Sequence, residues 1–342
     1  MKHTAQGYGI TAITVTYGAR WSLLEKVLHA AKSQGIDRAI VVENGTSEPI
    51  EELARESFGA FVDVVRLERN TGSAGGFKTG MRYALEHGAE FILLLDDDNQ
   101  MQPGCLTALV AMYRRHSHIV PHYKLAVLAY RADRQADVAA KVPANGMEDD
   151  RAAFFGFNLR DLPFKLFRRT RWGRNWIARR AIAESVLVAT APYSGMYFHR
   201  SMLEFIGLPD ERFLLYADDT DFSFRLTRAA GRIVLASDAR LTDLDASWNV
   251  RSRFGNTFDA LLMGDGDVRA YYSTRNNAYF ERWSRGEAGV ARKLNRAVYL
   301  AGLYVRAVMK GRQRRYALLV SAICDGEAGR LGEHPDFPLA QP

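Results

Sequence analysis

Five consecutive apolar residues, Phe91-Ile-Leu-Leu-Leu95, run straight into three carboxylates, Asp96, Asp97 and Asp98. An unbroken apolar run of this length is the pattern of a strand buried on both faces of a parallel sheet. Open α/β sheets bind ligands outside the carboxyl ends of such strands, so the three acids stand where a ligand would. Adjacent carboxylates repel one another unless a cation sits among them. Asp96 and Asp98, as alternate members, can turn toward one hard divalent ion, which prefers oxygen ligands and often bridges to a diphosphate. The competing reading is an acidic turn in which Asn99 caps the helix after Pro103. An EF-hand loop fails, because Met101 stands where glycine is required.

The rest of the first half fits such a sheet. Short β-branched runs at residues 10–17, 39–43 and 62–67 alternate with helical patterns at 21–34, 51–58 and 77–87, the signature of βαβ units. Between residues 101 and 157 the pattern weakens, apart from a helix near 106–115 and a strand near 125–130. Residues 157–180, rich in Arg, Phe and Trp, show no clean period and read as a loop or lid. Strands are expected again at 185–191, 195–199 and 233–236, with a helix at 222–230 closed by Gly231. From Val268 onward the pattern is helical. The expectation is an α/β fold with a doubly wound, mostly parallel sheet flanked by helices, divided into a catalytic unit at 1–255 and a basic helical extension at 256–342.

The two cysteines, Cys105 and Cys324, cannot form a disulfide framework and match no zinc spacing, so a reducing compartment is the default. The N-terminus reads as a first strand rather than a secretory signal, and no run approaches the length needed to span a bilayer. The net charge of +7 is uneven, concentrated between Arg160 and Arg180 and between Arg292 and Arg315. Such patches attract phosphates or simply form solvated faces.

Two further stretches carry chemistry. Asn70-Thr-Gly-Ser-Ala-Gly-Gly-Phe-Lys-Thr-Gly80 reads as a glycine-rich turn feeding a helix, whose free N–H groups suit a phosphate. It misses the Walker pattern at Phe77 and lacks the Rossmann spacing, and a purely structural loop is the alternative. Asp218, Asp219 and Asp221 open a helix, where acids ordinarily complement the dipole. A functional role requires one of them to face the same cleft as the metal. In glycosyl transfer the acceptor hydroxyl loses its proton to a carboxylate as it attacks, and the departing diphosphate needs an electrophilic partner.

Taken together these residues resemble glycosyltransferase family 2, the inverting enzymes of the GT-A fold, and within it the subgroup of bacterial galactofuranosyltransferases and rhamnosyltransferases. The resemblance runs from Ile13 to about Trp248 and more loosely to Gly332. It implies donor contacts from Thr16 and Tyr17 on the opening strand, although Gly18 replaces a frequent asparagine. It implies further donor contacts from Glu43 and Asn44, from Asn70, Gly72, Gly76 and Lys78, and from Asp96 and Asp97. The DxD pattern implies that Asp96 and Asp98 hold Mn or Mg. FLLYADDTDFSFR at 213–225 is similar to the subgroup's acid-acid motif, which implies Asp219 as general base and Asp218 on the acceptor side, with Trp248 and Arg275 also placed there.

One departure stands out: no histidine lies between His199 and His334, where the family usually has a metal ligand. Asp243 or Asp245 is the expected replacement. The implied partners are a nucleotide-sugar donor and a glycan or lipid-linked glycan acceptor, with no nucleic acid. The basic C-terminal helices offer peripheral contact with the inner face of the cytoplasmic membrane, packing on the catalytic unit, or a homo-oligomer contact. The alternatives are a sugar-1-phosphate nucleotidyltransferase and a non-catalytic module binding nucleic acid or lipid surfaces.

Overall fold

The chain opens with strand β1 (Ile10–Thr16), helix α1 (Trp21–Ser33), β2 (Arg38–Asn44), α2 (Ile50–Phe58), β3 (Val62–Leu67), α3 (Gly72–Glu86) and β4 (Phe91–Asp96). This computed structural model describes residues 9–143, 150–245, 257–264, 266–284, 286 and 289–340. β1 pairs in parallel with β2 on one side and β4 on the other, and β2 pairs in parallel with β3. The strand order 3-2-1-4 reverses at β1, so the carboxyl ends of β1 and β4 flank a topological switch point, where such sheets bind ligands.

Beyond β4 the sheet becomes mixed. β5 (Asn99–Met101), β6 (Leu125–Arg131), β7 (Ser185–Val188), β8 (Met196–His199) and β9 (Arg232–Asp243) complete it. β8 runs antiparallel between β4 and β6, while β9 is parallel to β6 and antiparallel to β5 and β7. The parallel half is the one that sequence periodicity predicts, and the second half mixes both senses. One apolar cluster lies on each face. Leu24, Leu28 and Leu109 pack against Leu93 and Val127 on one side, and Met81, Phe222 and Leu226 against Ile92 and Leu94 on the other.

Helices α4 (Cys105–Ser117), α5 (Ala132–Ala139), α6 (Leu162–Phe167), α7 (Arg171–Ala178), α8 (Ser201–Ile206) and α9 (Asp218–Arg228) alternate with these strands. The stretch expected to be a loop or lid thus holds two short helices, α6 and α7. The C-terminal region contains α10 (Thr257–Met263), α11 (Asp267–Tyr279), α12 (Val290–Met309) and α13 (Gln313–Glu327). It has its own core of Leu262, Tyr299, Leu303, Leu319 and Ile323, into which Phe154 inserts from the first part of the chain. Among the described residues no helix is long and apolar enough to cross a membrane.

The glycine-rich stretch takes a form that differs from the sequence expectation. Residues 72–80 already belong to α3 rather than to a turn before it. A Cβ on Gly76 would lie 2.5 Å from Val15 Cγ1, and one on Gly80 2.5 Å from Ile13 Cγ2. Gly76 and Gly80 are small so that α3 can lie against β1 and β2, a packing requirement. Gly72 has φ of +76°, and a Cβ there would meet the Leu214 carbonyl oxygen at 2.2 Å. It thereby lets the loop before α9 close onto the start of α3.

Candidate active site

A cleft of about 660 Å³ opens at the carboxyl ends of β1 and β4. Its walls include Tyr17, Asn44, Asn70 and Gly72, the three acids Asp96, Asp97 and Asp98, and, from far along the chain, Asp218 and Asp219. Thus two acidic stretches predicted independently converge on one cavity. Gly266, Val268 and Arg269 of the C-terminal region, with Leu339 and Ala340, also line it.

The acids that end β4 sit in a network of arginines. Arg20 Nε donates to Asp97 at 3.0 Å, its Nη2 to Asp98 at 2.8 Å and its Nη1 to Asp245 at 3.2 Å. Thr16 Oγ1 also donates to Asp97, at 2.9 Å, and Asn99 Nδ2 to Asp98 at 2.6 Å. Arg131, buried at the end of β6, stands 4.0 Å from Asp96 and donates to Asn99 at 2.7 Å. Arg134 pairs with Asp243 at 2.9 Å.

Asp96 keeps 40% of its side chain accessible, but what it faces is the floor of the cleft rather than open solvent. Burial therefore still pushes its pKa up to about 6, with Arg131 opposing and Asp97 and Asp219 adding to the rise. Asp97 is pushed to about 6 by burial against the opposing pull of Arg20. Asp98 reaches about 6 through burial and the charge of Asp96, again opposed by Arg20.

The stretch expected to replace the missing histidine does reach this cluster. Asn99 on β5 pairs with Asp243 on β9, and the Leu244 N–H donates to the Asp98 carbonyl at 2.7 Å. Asp243 is nonetheless turned to Arg134 and is not part of the cleft wall. Six carboxylates, Asp96, Asp97, Asp98, Asp133, Asp243 and Asp245, thus meet three guanidiniums, those of Arg20, Arg131 and Arg134. The acids outnumber the arginines, which favours a cation. Among the described residues no three acidic, histidine or cysteine side chains already form a cage. Mg and Mn sites of this kind use one or two carboxylates completed by water and phosphate oxygens, so the donor set fits.

The second acidic stretch is built differently. It follows a loop in which Leu214, Tyr216 and Ala217 all have positive φ, of 63°, 66° and 60°. Such geometry is costly for residues with a Cβ and persists only when the surroundings hold it. Asn276 on α11 does so: its fully buried amide donates to the carbonyls of Phe213, Leu215 and Tyr216 at 2.6–3.1 Å. The loop delivers Asp218 and Asp219 to the first turn of α9, over the cleft.

Ser73 Oγ donates to Asp218 at 2.8 Å. Asp219 Oδ1 accepts from the Thr220 N–H at 2.6 Å and from the Thr220 hydroxyl at 3.2 Å. Neither forms an ion pair among the described residues. Burial and the charge of Asp219 hold Asp218 far above the ordinary carboxylate range. Burial raises Asp219 too, but the Thr220 hydrogen bonds and Arg131 counter it. Both acids are therefore raised together, and the pair titrates as a unit rather than as two separate groups. Asp221 faces elsewhere, accepting from Ser284 at 2.6 Å and pairing with Arg225 at 3.3 Å.

Several expected contacts lie outside the cleft. Lys78 pairs with Glu211 at 3.0 Å on the outer side of α3. Glu43 is buried and faces Arg66 at 3.4 Å. Gly76 is packed under Val15, and Thr16 acts behind Asp97. Arg275 is buried on α11, donating to Asn276 at 2.9 Å and bordering a smaller cavity with Tyr271 and Asp325. Trp248 falls outside the described residues. Sequence reasoning passed over Arg20, Arg131, Arg134, Ser73 and Asn276. The signal available for Arg20 and Arg131 was position, since each stands at the carboxyl end of a strand facing the switch point.

A sheet reversing at β1, with acids at its carboxyl edge and a second acidic pair closing the cleft, is the GT-A architecture. The solved structure of GalNAc-T7 with UDP, GalNAc and Mn2+ shares the fold at a TM-score of 0.51 and 12% identity, over 85% of this chain and 54% of that one. The family model for glycosyl transferase family 2 matches residues 11–187, and the chain belongs to that family. Among curated proteins, the galactofuranosyltransferase GlfT1 of Mycolicibacterium smegmatis is 29% identical over 230 residues, 64% of this chain and 66% of that protein. GlfT1 of Mycobacterium tuberculosis is 28% identical over 228 residues, 64% of this chain and 65% of its own length. The chain therefore spans just under two thirds of the curated relatives it matches. Nothing in these likenesses supports a nucleotidyltransferase or a non-catalytic binding module.

Proposed function

We propose that the protein is an inverting glycosyltransferase that moves a sugar, galactofuranose by likeness to its curated relatives, from a nucleoside-diphosphate donor to a hydroxyl of a cell-surface glycan. The observation that carries this reading is the convergence of Asp96–Asp98 and Asp218–Asp219 on one cleft. Residues 1–255 supply the donor site, and the extension from 256 to 342 closes one wall of it.

In this reading Tyr17, Asn44, Asn70 and Gly72 surround the nucleoside, while Asp96 and Asp98 hold Mn or Mg against the diphosphate. The cation, when bound, supplies the electrophile that stabilises the departing diphosphate. Asp219, charged and held by Thr220, takes the proton of the acceptor hydroxyl as that oxygen attacks the anomeric carbon from the opposite side. Asp218 lies beside it, held by the Ser73 hydroxyl. A second cavity of about 560 Å³ shares Tyr216, Thr220 and Arg269 with the region around the base. It offers a route for the acceptor.

The test is release of nucleoside diphosphate from UDP-, GDP-, dTDP- and CDP-sugars with and without Mn. A UDP-sugar should be turned over only with the cation. Turnover undiminished by a chelator would defeat the metal assignment, and absence of turnover with every donor and acceptor would defeat the activity.

A further inference from the structure

The longest helix among the described residues, α12, buries polar groups beside its core residues and turns an apolar stripe outward. Its inward side carries the polar and charged residues: Arg292 donates to the buried Glu281, Arg296 pairs with Glu327 at 2.8 Å and Arg306 with Asp259 at 2.7 Å. Asn295, Tyr299 and Leu303 are buried on the same side. The outward side is apolar along the whole helix. Val290 is 84% exposed, Leu294 55%, Val298 37%, Val305 57%, Val308 47% and Met309 74%. At 3.6 residues per turn these positions fall on one stripe about 30 Å long. A continuous apolar stripe in water marks a surface made to be covered.

We propose that this face of α12 docks onto the headgroup layer of an anionic lipid bilayer, lying in its plane. Charge selects this occupant. From Val290 to Arg315 the chain contains no Asp or Glu. Lys293 stands near the start of the stripe, and Lys310, Arg312 and Arg314 stand at its end, all exposed. Among the described residues none of these four has an ion-pair partner. An apolar face edged by unpaired cations and free of acids is the pattern of an interfacial helix, in which the side chains enter the acyl boundary and the cations meet lipid phosphates. A second copy of the same face would bring cations against cations, because both ends of the stripe carry the same sign. The sequence shows this helix as a basic tail in which Arg292, Arg296 and the later cations interleave with apolar residues. The structure turns Arg292 and Arg296 inward and leaves Lys310, Arg312 and Arg314 as the cations that reach out.

The assignment does not depend on the reaction. Tyr299, on the inward side of α12, lines the second cavity described above, so a docked helix would place that cavity next to the lipid surface.

The experiment is flotation of the full chain with vesicles of phosphatidylcholine alone and of phosphatidylcholine with phosphatidylglycerol, at low and high salt. Native protein should float with the anionic vesicles, less so in high salt. Lys310→Ala with Arg312→Ala and Arg314→Ala should weaken binding about a hundredfold, at roughly fivefold per cation. Leu294→Glu with Val305→Glu should abolish it. Both variants alter exposed side chains, and unchanged thermal melting will show that the fold is kept. The proposal is overturned if native protein ignores anionic vesicles or if the folded variants bind as native does. It is equally overturned if the native chain is a dimer that Val305→Glu dissociates without any change in vesicle binding.

Discussion

The two acidic clusters of the cleft invite comparison, because each consists of adjacent aspartates and the chain treats them in opposite ways. Asp96, Asp97 and Asp98 are threaded with Arg20 and Arg131. Among the described residues Asp218 and Asp219 form no ion pair with an arginine and accept instead from Ser73 and Thr220. Buried charge is costly unless paired. A cluster only partly compensated by arginines is suited to receive a cation. An uncompensated pair instead shares a proton, which is what a base at the point of reaction requires. The difference teaches that the sequence pattern of adjacent acids does not define a role, whereas the company each acid keeps does.

Substitutions that respect shape while removing charge can break this division. Asp219→Asn should lower turnover by about 10³-fold while leaving donor affinity within a factor of roughly three, since general-base contributions are of this size. Steady-state kinetics checks this, and equal losses in both clusters' variants would erase the distinction. Asp96→Asn should reduce turnover by roughly 10²-fold and weaken Mn affinity, the cation being worth several kcal/mol to the departing diphosphate. Asp243→Asn, by contrast, should change Mn affinity by no more than about threefold, because its partner is Arg134 at the rim and such pairs contribute little. Mn titration followed by calorimetry separates the two.

Asn276→Ala attacks the mounting of the second cluster rather than its chemistry. It takes the side-chain donor from three carbonyls of the strained loop, of which Phe213 keeps the Leu215 N–H, an expected loss of about 2–3 kcal/mol in unfolding free energy. Denaturant melts should show that loss together with reduced turnover. A stable variant with native turnover would mean that the loop holds itself.

These residues also show what the sequence could and could not reveal. Strands 10–17, 39–43 and 62–67 were legible because apolar period and turn residues agree locally, and the acids after Leu95 were legible because a strand end is a place as well as a residue. The glycines of 72–76 read as a turn in the sequence but form the first turns of α3. A local pattern cannot tell a glycine needed for its backbone freedom from one needed for its lack of a side chain, and Gly76 and Gly80 are the second kind. Lys78, on the same helix, lies outside the cleft. β9 extends for twelve residues where only four were expected, since exposed Asp238 and Arg240 break the apolar run without breaking the strand. Arg20 and Asn276 were hidden for a different reason. Their partners lie up to 225 residues away, and nothing in a linear neighbourhood announces them.

The smallest expected effect concerns pH. Burial raises Asp219 above its ordinary value of 3.8, and a base must be ionised to act. Activity is therefore lost as pH falls through that raised value, and the acid limb should lie above pH 3.8 rather than at it. Thr220→Val removes hydrogen bonding that favours the charged form, so the limb should move upward by about half a unit to one unit. A pH profile of kcat/KM reads the shift, and movement in the other direction would contradict the role given to Thr220.

The central claim is that the two clusters serve one reaction from opposite sides of one cleft. Crystals grown with Mn and a nucleoside diphosphate, measured for anomalous scattering, test it most directly. The account predicts a Mn peak bound by Asp96 and Asp98 and bridged to the diphosphate, with the Asp219 carboxylate across the cleft and free of the metal. A peak held by Asp218 and Asp219, or a nucleotide seated away from β1 and β4, would contradict it.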